Sequence, residues 1–201
     1  MNNLNKIPFH DSSLRHSTGQ AIYIDDMPEQ ENLLHGAPVL SKLACGKIKK
    51  INSEKLNDLP FFTKIITAKD IPGENEIGPI KNGEPILAEE FFSYLGQPVA
   101  IVLAKTHQEA IYASSLVEIE VEFTTKPILN LDDAYKQKSF LEDPMILEKG
   151  NVKKDMSKSN YTLSGNFEIG GQDHFYLETH VAITFPGEND EYVVWSSTQH
   201  P

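Results

Sequence analysis

The chain has 201 residues, 39% hydrophobic and 9% aromatic, which is enough for one domain of ordinary size or two small ones with a buried core. Its 18 Lys and Arg against 29 Asp and Glu give a formal net charge of -11. No basic stripe interrupts this acidic balance, so the composition argues against a nucleic-acid partner.

The single cysteine, Cys45, cannot form an internal disulfide or supply a thiolate metal cluster, which fits a reducing compartment. The first residues contain no apolar segment typical of a signal peptide. The longest uninterrupted apolar run, Pro98 to Ala104, is far too short to span a bilayer. We therefore expect a cytoplasmic protein with no membrane partner.

The first third of the chain is predicted to hold short elements separated by turn residues. Residues 1–16 are polar and aperiodic, which indicates an N-terminal arm lying on another surface. Aromatic and β-branched runs closed by proline or aspartate predict strands. The predicted elements are strands at Ala21–Ile24, at Leu33–Leu43 broken by Pro38, and at Phe61–Thr67, one helical turn at Glu54–Asp58, and a turn-rich loop through Pro72, Gly73, Gly78 and Pro79.

The clearest local pattern runs from Gln97 to Phe123. The run QPVAIVLA is apolar without interruption and predicts a central strand covered on both faces. Thr106 followed by Glu109 predicts a capping box, and small residues at helical spacing predict a helix that packs closely on a sheet. The following VEIEVEF alternates strictly, which predicts a half-buried strand with an acidic outer face.

The acidic face of that strand carries Glu118, Glu120 and Glu122, and two interpretations are open. Three carboxylates on one face could bind a cation. Consecutive carboxylates on one face of a strand are more often its solvated side, and we favour that interpretation.

After Pro127 the pattern weakens. Asn130 or Asp132 is predicted to cap a short helix through Lys138. Residues 140–160 show no period, and this composition predicts a domain boundary. The remaining chain is predicted to form three strands, at Tyr161–Ile169, Val181–Phe185 and Tyr192–Ser196.

The last forty residues concentrate polar side chains between these strands, in GGQDHFYLETH and in the closing SSTQHP. His174, Glu178 and His180 have the chemistry of a zinc or iron site, but neither an extended chain nor a helix brings all three together. We interpret them as hydrogen-bonded residues of a partly buried corner. Gln199, judged by its residue type alone, is a solvated strand end.

Five segments stand out in chain order: TGQAIYIDDMP, DIPGENEIGPI, LGQPVAIVLAKTHQEAIYASSLVEIEVEF, GGQDHFYLETH and SSTQ. Together they resemble the molybdenum-binding (large) subunits of the molybdenum hydroxylase family, and among them the xanthine dehydrogenases more than the aldehyde or carbon monoxide branches. The resemblance covers the chain from about His10 to its last residue.

The resemblance implies an α+β fold, with the hammerhead domain of xanthine dehydrogenases and aldehyde oxidases at residues 17–125. An N-terminal arm at residues 1–16 would precede it, and a linker at residues 126–160 would follow. Residues 161–201 would then be the incomplete beginning of a molybdenum-cofactor-binding domain.

The resemblance also implies an activity and its cofactors. A molybdenum-molybdopterin cofactor, shared with protein outside this chain, would hydroxylate hypoxanthine and xanthine to urate in purine catabolism. Electrons would pass through 2Fe-2S clusters and FAD to NAD. A start so close to the hammerhead resembles the bacterial arrangement, in which an iron-sulfur/FAD subunit is a separate chain, so a hetero-oligomer is expected.

Within this resemblance Gln199 matches the glutamine of the STQ motif, which donates a hydrogen bond to an oxo ligand of molybdenum. Gln199 is thereby implied to be catalytic and cofactor-binding, and no side chain of this sequence is assigned as a metal ligand. The family's pterin loop, substrate-orienting arginine, purine-stacking aromatic residues and glutamate base all lie beyond the STQ segment. We therefore expect these 201 residues alone to be inactive and unable to hold molybdopterin.

Three alternatives remain open at this point. The chain could be a non-catalytic binding or assembly module of the same fold. It could belong to another molybdenum hydroxylase, such as an aldehyde oxidoreductase. It could be a small metal-dependent hydrolase that uses His174, Glu178 and His180.

Overall fold

The computed structural model describes residues 10–78, 83–122 and 126–198. Two compact units form: a central unit, Gln30–Glu148, and a terminal unit that joins Met1–Glu29 to Lys149–Pro201. The elements in chain order are α1 (Ser13–Thr18), a 3-10 turn (Ile24–Asp26), β1 (His35–Leu40), β2 (Gly46–Asn52), a 3-10 turn (Glu54–Leu56), β3 (Phe62–Thr67), a 3-10 turn (Ala68–Asp70), β4 (Phe91–Phe92), β5 (Pro98–Ala104), α2 (His107–Leu116), β6 (Glu118–Glu122), α3 (Leu131–Lys136), α4 (Val152–Lys158), β7 (Ala182–Pro186) and β8 (Tyr192–Ser196).

The first sheet of the central unit is antiparallel and has the strand order β1-β5-β3. The predicted central position of the run QPVAIVLA is therefore confirmed. Val99, Ala100, Val102 and Ala104 of β5 are all fully buried. The last three pack into clusters on one face of the strand and Val99 into another cluster on the opposite face, so both faces are covered.

The helix α2 packs against this sheet, and its start follows the predicted signal. Thr106 is the N-cap, its Oγ1 accepting from the backbone N–H of Glu109 at 3.3 Å and donating to the Glu109 carboxylate at 2.9 Å. Ala110 and Ala113 are fully buried on the sheet side. Small side chains at this spacing allow the helix to lie close to β1 and β5.

The second sheet has the order β4-β2-β6, also antiparallel. In β6 the glutamates are exposed while Ile119 and Val121 are half-buried, which confirms the predicted alternation as far as Glu122. Phe123, the last residue of the predicted strand, lies outside the described residues. Inward residues of this sheet, together with Ala88, Phe92 and Val99, form one cluster of the core.

The terminal unit contains a two-stranded hairpin, β7 paired antiparallel with β8 from Ala182 opposite Ser196 to Pro186 opposite Tyr192. Its turn places Asn189 and Asp190 at φ 54° and 63°, and the N–H of Glu191 donates to the carbonyl of Glu188 at 3.1 Å. Asn and Asp accept this left-handed backbone more readily than other side chains do. The two strands predicted over Val181–Phe185 and Tyr192–Ser196 are confirmed.

Three sequence predictions are wrong. Residues 21–23 form no strand. A 3-10 turn begins at Ile24 instead, closed by the Asp26 carboxylate, which accepts from the N–H of Tyr23, and by the N–H of Asp26, which donates to the carbonyl of Tyr23. Residues 161–169, predicted as a strand, have no regular secondary structure and are exposed, and none of the described strands pairs with them. Pro38 does not break its strand, because β1 lies at a sheet edge, where a missing N–H is tolerated. Residues 140–160, where a domain boundary is predicted, contain α4, which Asn151 caps, and the two units divide within this range, between Glu148 and Lys149.

Candidate functional site

The polar corner that follows Gly170 begins with a segment of irregular structure, residues 170–181. Within it, Phe175 has a positive φ of 48°, a conformation that costs a bulky L-residue about 1–2 kcal/mol. The corner is held at Glu178, whose carboxylate accepts a hydrogen bond from the backbone N–H of Ile24 at 3.1 Å. This half-buried contact joins two segments of the terminal unit that are 154 positions apart.

Ser197 connects the end of β8 to the same corner through hydrogen bonds. Its hydroxyl donates to the carbonyl of Thr179 at 2.7 Å and accepts from the N–H of Val181 at 2.9 Å. Its own N–H donates to the carbonyl of Val181 at 3.1 Å. A hydroxyl that donates and accepts at once extends the β7–β8 pairing beyond its last strand residue.

The structure does not bring the predicted corner residues together as a metal site. His174 is exposed, and His180 is exposed with its ring 4.6 Å from that of Tyr176 in an edge-on arrangement. Within residues 10–78, 83–122 and 126–198, no three His, Cys, Asp or Glu side chains converge as metal ligands. The prediction of a hydrogen-bonded corner is confirmed for Glu178, whereas the prediction of burial is wrong for both histidines.

The residue with the implied catalytic role, Gln199, lies outside the described residues, and so does His200. What the structure gives is the scaffold that leads to Gln199: strand β8, then Ser197 fixed by its hydroxyl, then Thr198. The role of Gln199 stays a prediction.

The acidic face of β6 is an ion-paired strand surface. Lys55 Nζ lies 2.5 Å from a carboxylate oxygen of Glu118, and Lys49 Nζ lies 3.7 Å from one of Glu120. The hydrogen bond from Lys55 lowers the pKa of Glu118 below its ordinary value, and the attraction of the same ammonium adds to this. These lysines lie on or next to β2, so the charges on this face stabilise strand pairing, as we expect of a solvated side.

A groove of about 600 Å³ lies in the central unit between β1, β6 and the end of α2. Its walls are mostly aliphatic and aromatic, with Leu40, Leu43, Phe92 and Val121 among them. An apolar groove of this kind can hold a side chain. Ser41, Lys42, Ser114 and Ser115 also line it, together with Glu118 and Glu120, which are already paired with Lys55 and Lys49.

The sequence prediction missed the contact between Glu178 and Ile24 and the role of Ser197. Both segments stood out in the sequence, as YIDD within TGQAIYIDDMP and as SSTQ. No periodicity predicts a contact across 154 positions, however, and a serine after a strand has the same pattern whether its hydroxyl points to water or to the backbone.

The two-sheet central unit and the corner that leads to the STQ segment define a class of protein, and comparison with known families identifies it. Residues 18–126 match the aldehyde oxidase and xanthine dehydrogenase a/b hammerhead domain, and residues 135–201 match the molybdopterin cofactor-binding domain. The chain therefore belongs to the aldehyde oxidase and xanthine dehydrogenase family of molybdenum hydroxylases. The predicted family and the predicted α+β fold are confirmed.

The chain has comparable sequence identity to relatives from the xanthine dehydrogenase and aldehyde oxidase branches. The chain is 37% identical over 192 residues to xanthine dehydrogenase/oxidase of Gallus gallus and 38% identical over 193 residues to aldehyde oxidase 2 of Macaca fascicularis. Each match covers 95–96% of this chain and 14% of the relative, so the chain spans about one seventh of their length.

A solved aldehyde oxidoreductase from Desulfovibrio gigas superposes with a TM-score of 0.76 over 94% of this chain and 23% of that chain, at 23% identity. At that identity the likeness shows the fold. In the described residues, no helix combines the length and apolarity that crossing a bilayer requires.

Proposed function

We propose that this chain contributes the hammerhead domain and the opening of the cofactor domain to a xanthine dehydrogenase, which hydroxylates hypoxanthine and xanthine to urate. One observation carries the proposal. The two domains of a molybdenum hydroxylase follow one another in the chain, and β8 of the second leads directly into the STQ segment. The xanthine branch is proposed because GENEIGP and GGQDHFYLET resemble that branch more closely.

The amide side chain of Gln199, in the STQ segment, is a hydrogen-bond donor of the kind that suits an oxo-molybdenum group held by a pterin. Such a cofactor supplies the oxygen-atom chemistry and accepts the reducing equivalents when it is bound. It requires hydrogen-bond donors from the protein rather than side-chain metal ligands. Gln199 is proposed to donate its amide N–H to the oxo group, since a neutral amide stabilises growing negative charge there without titrating.

The remaining components are proposed on the same basis. The molybdopterin site is completed by protein outside these 201 residues, and 2Fe-2S clusters and FAD on a partner subunit carry electrons to NAD. The assembly is a hetero-oligomer in the cytoplasm. The hammerhead is proposed over residues 17–125, and the cofactor domain, whose match begins at residue 135, is proposed to follow it after a linker that starts at residue 126.

Turnover by the native assembly tests the proposal. Xanthine and hypoxanthine should be oxidised to urate with NAD as acceptor, and the variant Q199A should lower kcat by about 10²–10³-fold, the usual effect of losing one preorganised donor. Full activity of Q199A would refute the proposed role of Gln199. Absence of purine turnover would refute the proposed substrate.

A second candidate is an aldehyde-oxidising enzyme of the same family, favoured by the 38% identity to aldehyde oxidase 2. The same native assembly, assayed with an aromatic aldehyde, separates the two. If kcat/KM for the aldehyde exceeds that for xanthine, the aldehyde branch replaces the xanthine branch.

A further inference from the structure

We propose that Ser197 and Glu178 are positioning residues for Gln199, and that together they fix the end of β8 relative to the corner before β7. This inference rests on the proposed function of Gln199 and deepens it. The side chains of Ser197 and Glu178 would hold the segment that carries the catalytic amide.

The regular β7–β8 pairing ends at Ala182 opposite Ser196. Beyond that pair, the hydroxyl of Ser197 makes two short cross-strand contacts, to Thr179 O at 2.7 Å and to Val181 N at 2.9 Å. Alanine can make neither contact, since it has no hydroxyl. With the hydroxyl removed, the backbone bond from Ser197 N to Val181 O at 3.1 Å remains, but both side-chain contacts are lost.

The corner that receives Ser197 is itself held in place. Thr179 immediately follows Glu178, whose carboxylate accepts from Ile24 N at 3.1 Å. The contacts therefore form a series from the 3-10 turn at Ile24, through Glu178 and Thr179, to Ser197. All four residues belong to the terminal unit.

Gln199 follows Ser197 by two positions, and two extended residues reach about 7 Å at most. The position of Ser197 therefore limits where the amide of Gln199 can lie. Preorganised donors must be held within a fraction of an ångström of their working geometry, so a freed strand end weakens the donor even when the amide is intact.

The test compares the variants S197A, S197T, E178A, E178Q and Q199A in the complete native enzyme. Threonine keeps the hydroxyl at position 197, and glutamine keeps an acceptor oxygen at position 178, so these two variants should restore what alanine loses. S196A is the matched control, because Ser196 is the neighbouring exposed serine of β8.

The first readout is independent of activity. Hydrogen exchange measured by mass spectrometry on short overlapping peptides should show faster exchange at Val181 in S197A and at Ile24 in E178A. The rates should return towards wild type in S197T and E178Q. Unchanged exchange at both amides would overturn the proposed contacts.

The second readout is catalytic and spectroscopic. S197A and E178A should lower kcat by about 10–100-fold with little change in KM, as the loss of supporting groups does. They should also alter the Mo(V) electron paramagnetic resonance signal while molybdenum content is retained. Wild-type kcat and Mo(V) signal in both, with Q199A impaired, would overturn this inference and leave the proposed function standing. Wild-type kcat in Q199A would overturn the proposed role of Gln199, and this inference with it.

Discussion

The central and terminal units of this chain differ in the burial of their side chains. Every described side chain that is buried belongs to Gln30–Glu148, where two sheets and α2 enclose residues such as Leu56 and Val99 at 0% exposure. In the terminal unit no described side chain is fully buried, and several large apolar ones are exposed, with Leu163 at 99% and Phe167 at 94%. The central unit therefore has a core of its own, whereas the apolar surface of the terminal unit is typical of a segment that packs against further protein.

Truncation of leucine in each unit tests this difference most strongly. Leu56→Ala should destabilise the central unit by about 2–5 kcal/mol, because it opens a cavity in a packed core. Leu163→Ala should change the free energy of unfolding by less than about 0.5 kcal/mol, since its side chain is exposed. Urea unfolding followed by far-UV circular dichroism measures both, and equal effects would contradict the comparison.

Addition of a methyl group at a glycine gives the next largest effect. A Cβ at Gly46 would lie 2.3 Å from Val121 Cγ1 and 3.0 Å from Phe92 Cζ, so Gly46→Ala should cost about 1–3 kcal/mol through overpacking. The matched variant is Gly165→Ala, whose added Cβ meets no atom within 4 Å. Thermal unfolding compares them, and a neutral Gly46→Ala would refute tight packing of the second sheet.

Removal of a helix cap should destabilise the whole central unit at one helix but only the local structure at the other. Thr106→Ala should destabilise the central unit by about 1 kcal/mol, because α2 is part of its core. Asn151 caps α4, which has no buried residue, so Asn151→Ala should speed hydrogen exchange at Lys154 without a measurable change in global unfolding. A global effect of Asn151→Ala as large as that of Thr106→Ala would show that α4 is part of a packed core.

The smallest expected effect concerns pH. The backbone N–H and hydroxyl of Thr67 donate to Asp70, with Lys64 3.3 Å away, and these contacts lower the pKa of Asp70 in the folded state. A lowered folded pKa gives stability that is present above the unfolded pKa and is lost as pH falls through the folded pKa. Asp70→Asn should therefore be less stable than wild type at neutral pH and equally stable in strong acid.

Denaturant unfolding of both proteins from neutral to acidic pH measures this difference. Asp173→Asn, in the exposed segment of the terminal unit, controls for the loss of one negative charge. A difference between Asp70→Asn and wild type that stays constant over the whole range would contradict the proposed cause.

The same division explains what could be predicted from sequence. The central strand at Gln97–Ala104, the Thr106 cap and the alternation from Glu118 to Glu122 are local patterns that burial selects, and the structure has all three. The strand expected over Tyr161–Ile169 has the same alternation but finds no partner among the described strands. Alternation of apolar and polar residues predicts which face of a segment is apolar. Whether another strand pairs with that segment depends on the tertiary structure around it.

The candidate site was predictable only in part. Family motifs pointed to Gln199, and residue chemistry pointed to Glu178 as a hydrogen-bonding residue. The partner of Glu178, the backbone of Ile24, is a long-range contact that carries no local pattern. Side chains that form hydrogen bonds with the backbone of another segment, as Ser197 does, can be recognised only when the positions of the strands are known.

The central claim is that this chain forms part of a molybdenum-cofactor enzyme. Elemental mass spectrometry on the native protein, isolated with everything that accompanies it, tests that claim most directly. The account predicts about one molybdenum per copy of this chain. The absence of molybdenum from soluble, monodisperse native protein would contradict it and would favour a non-catalytic binding module of the same fold.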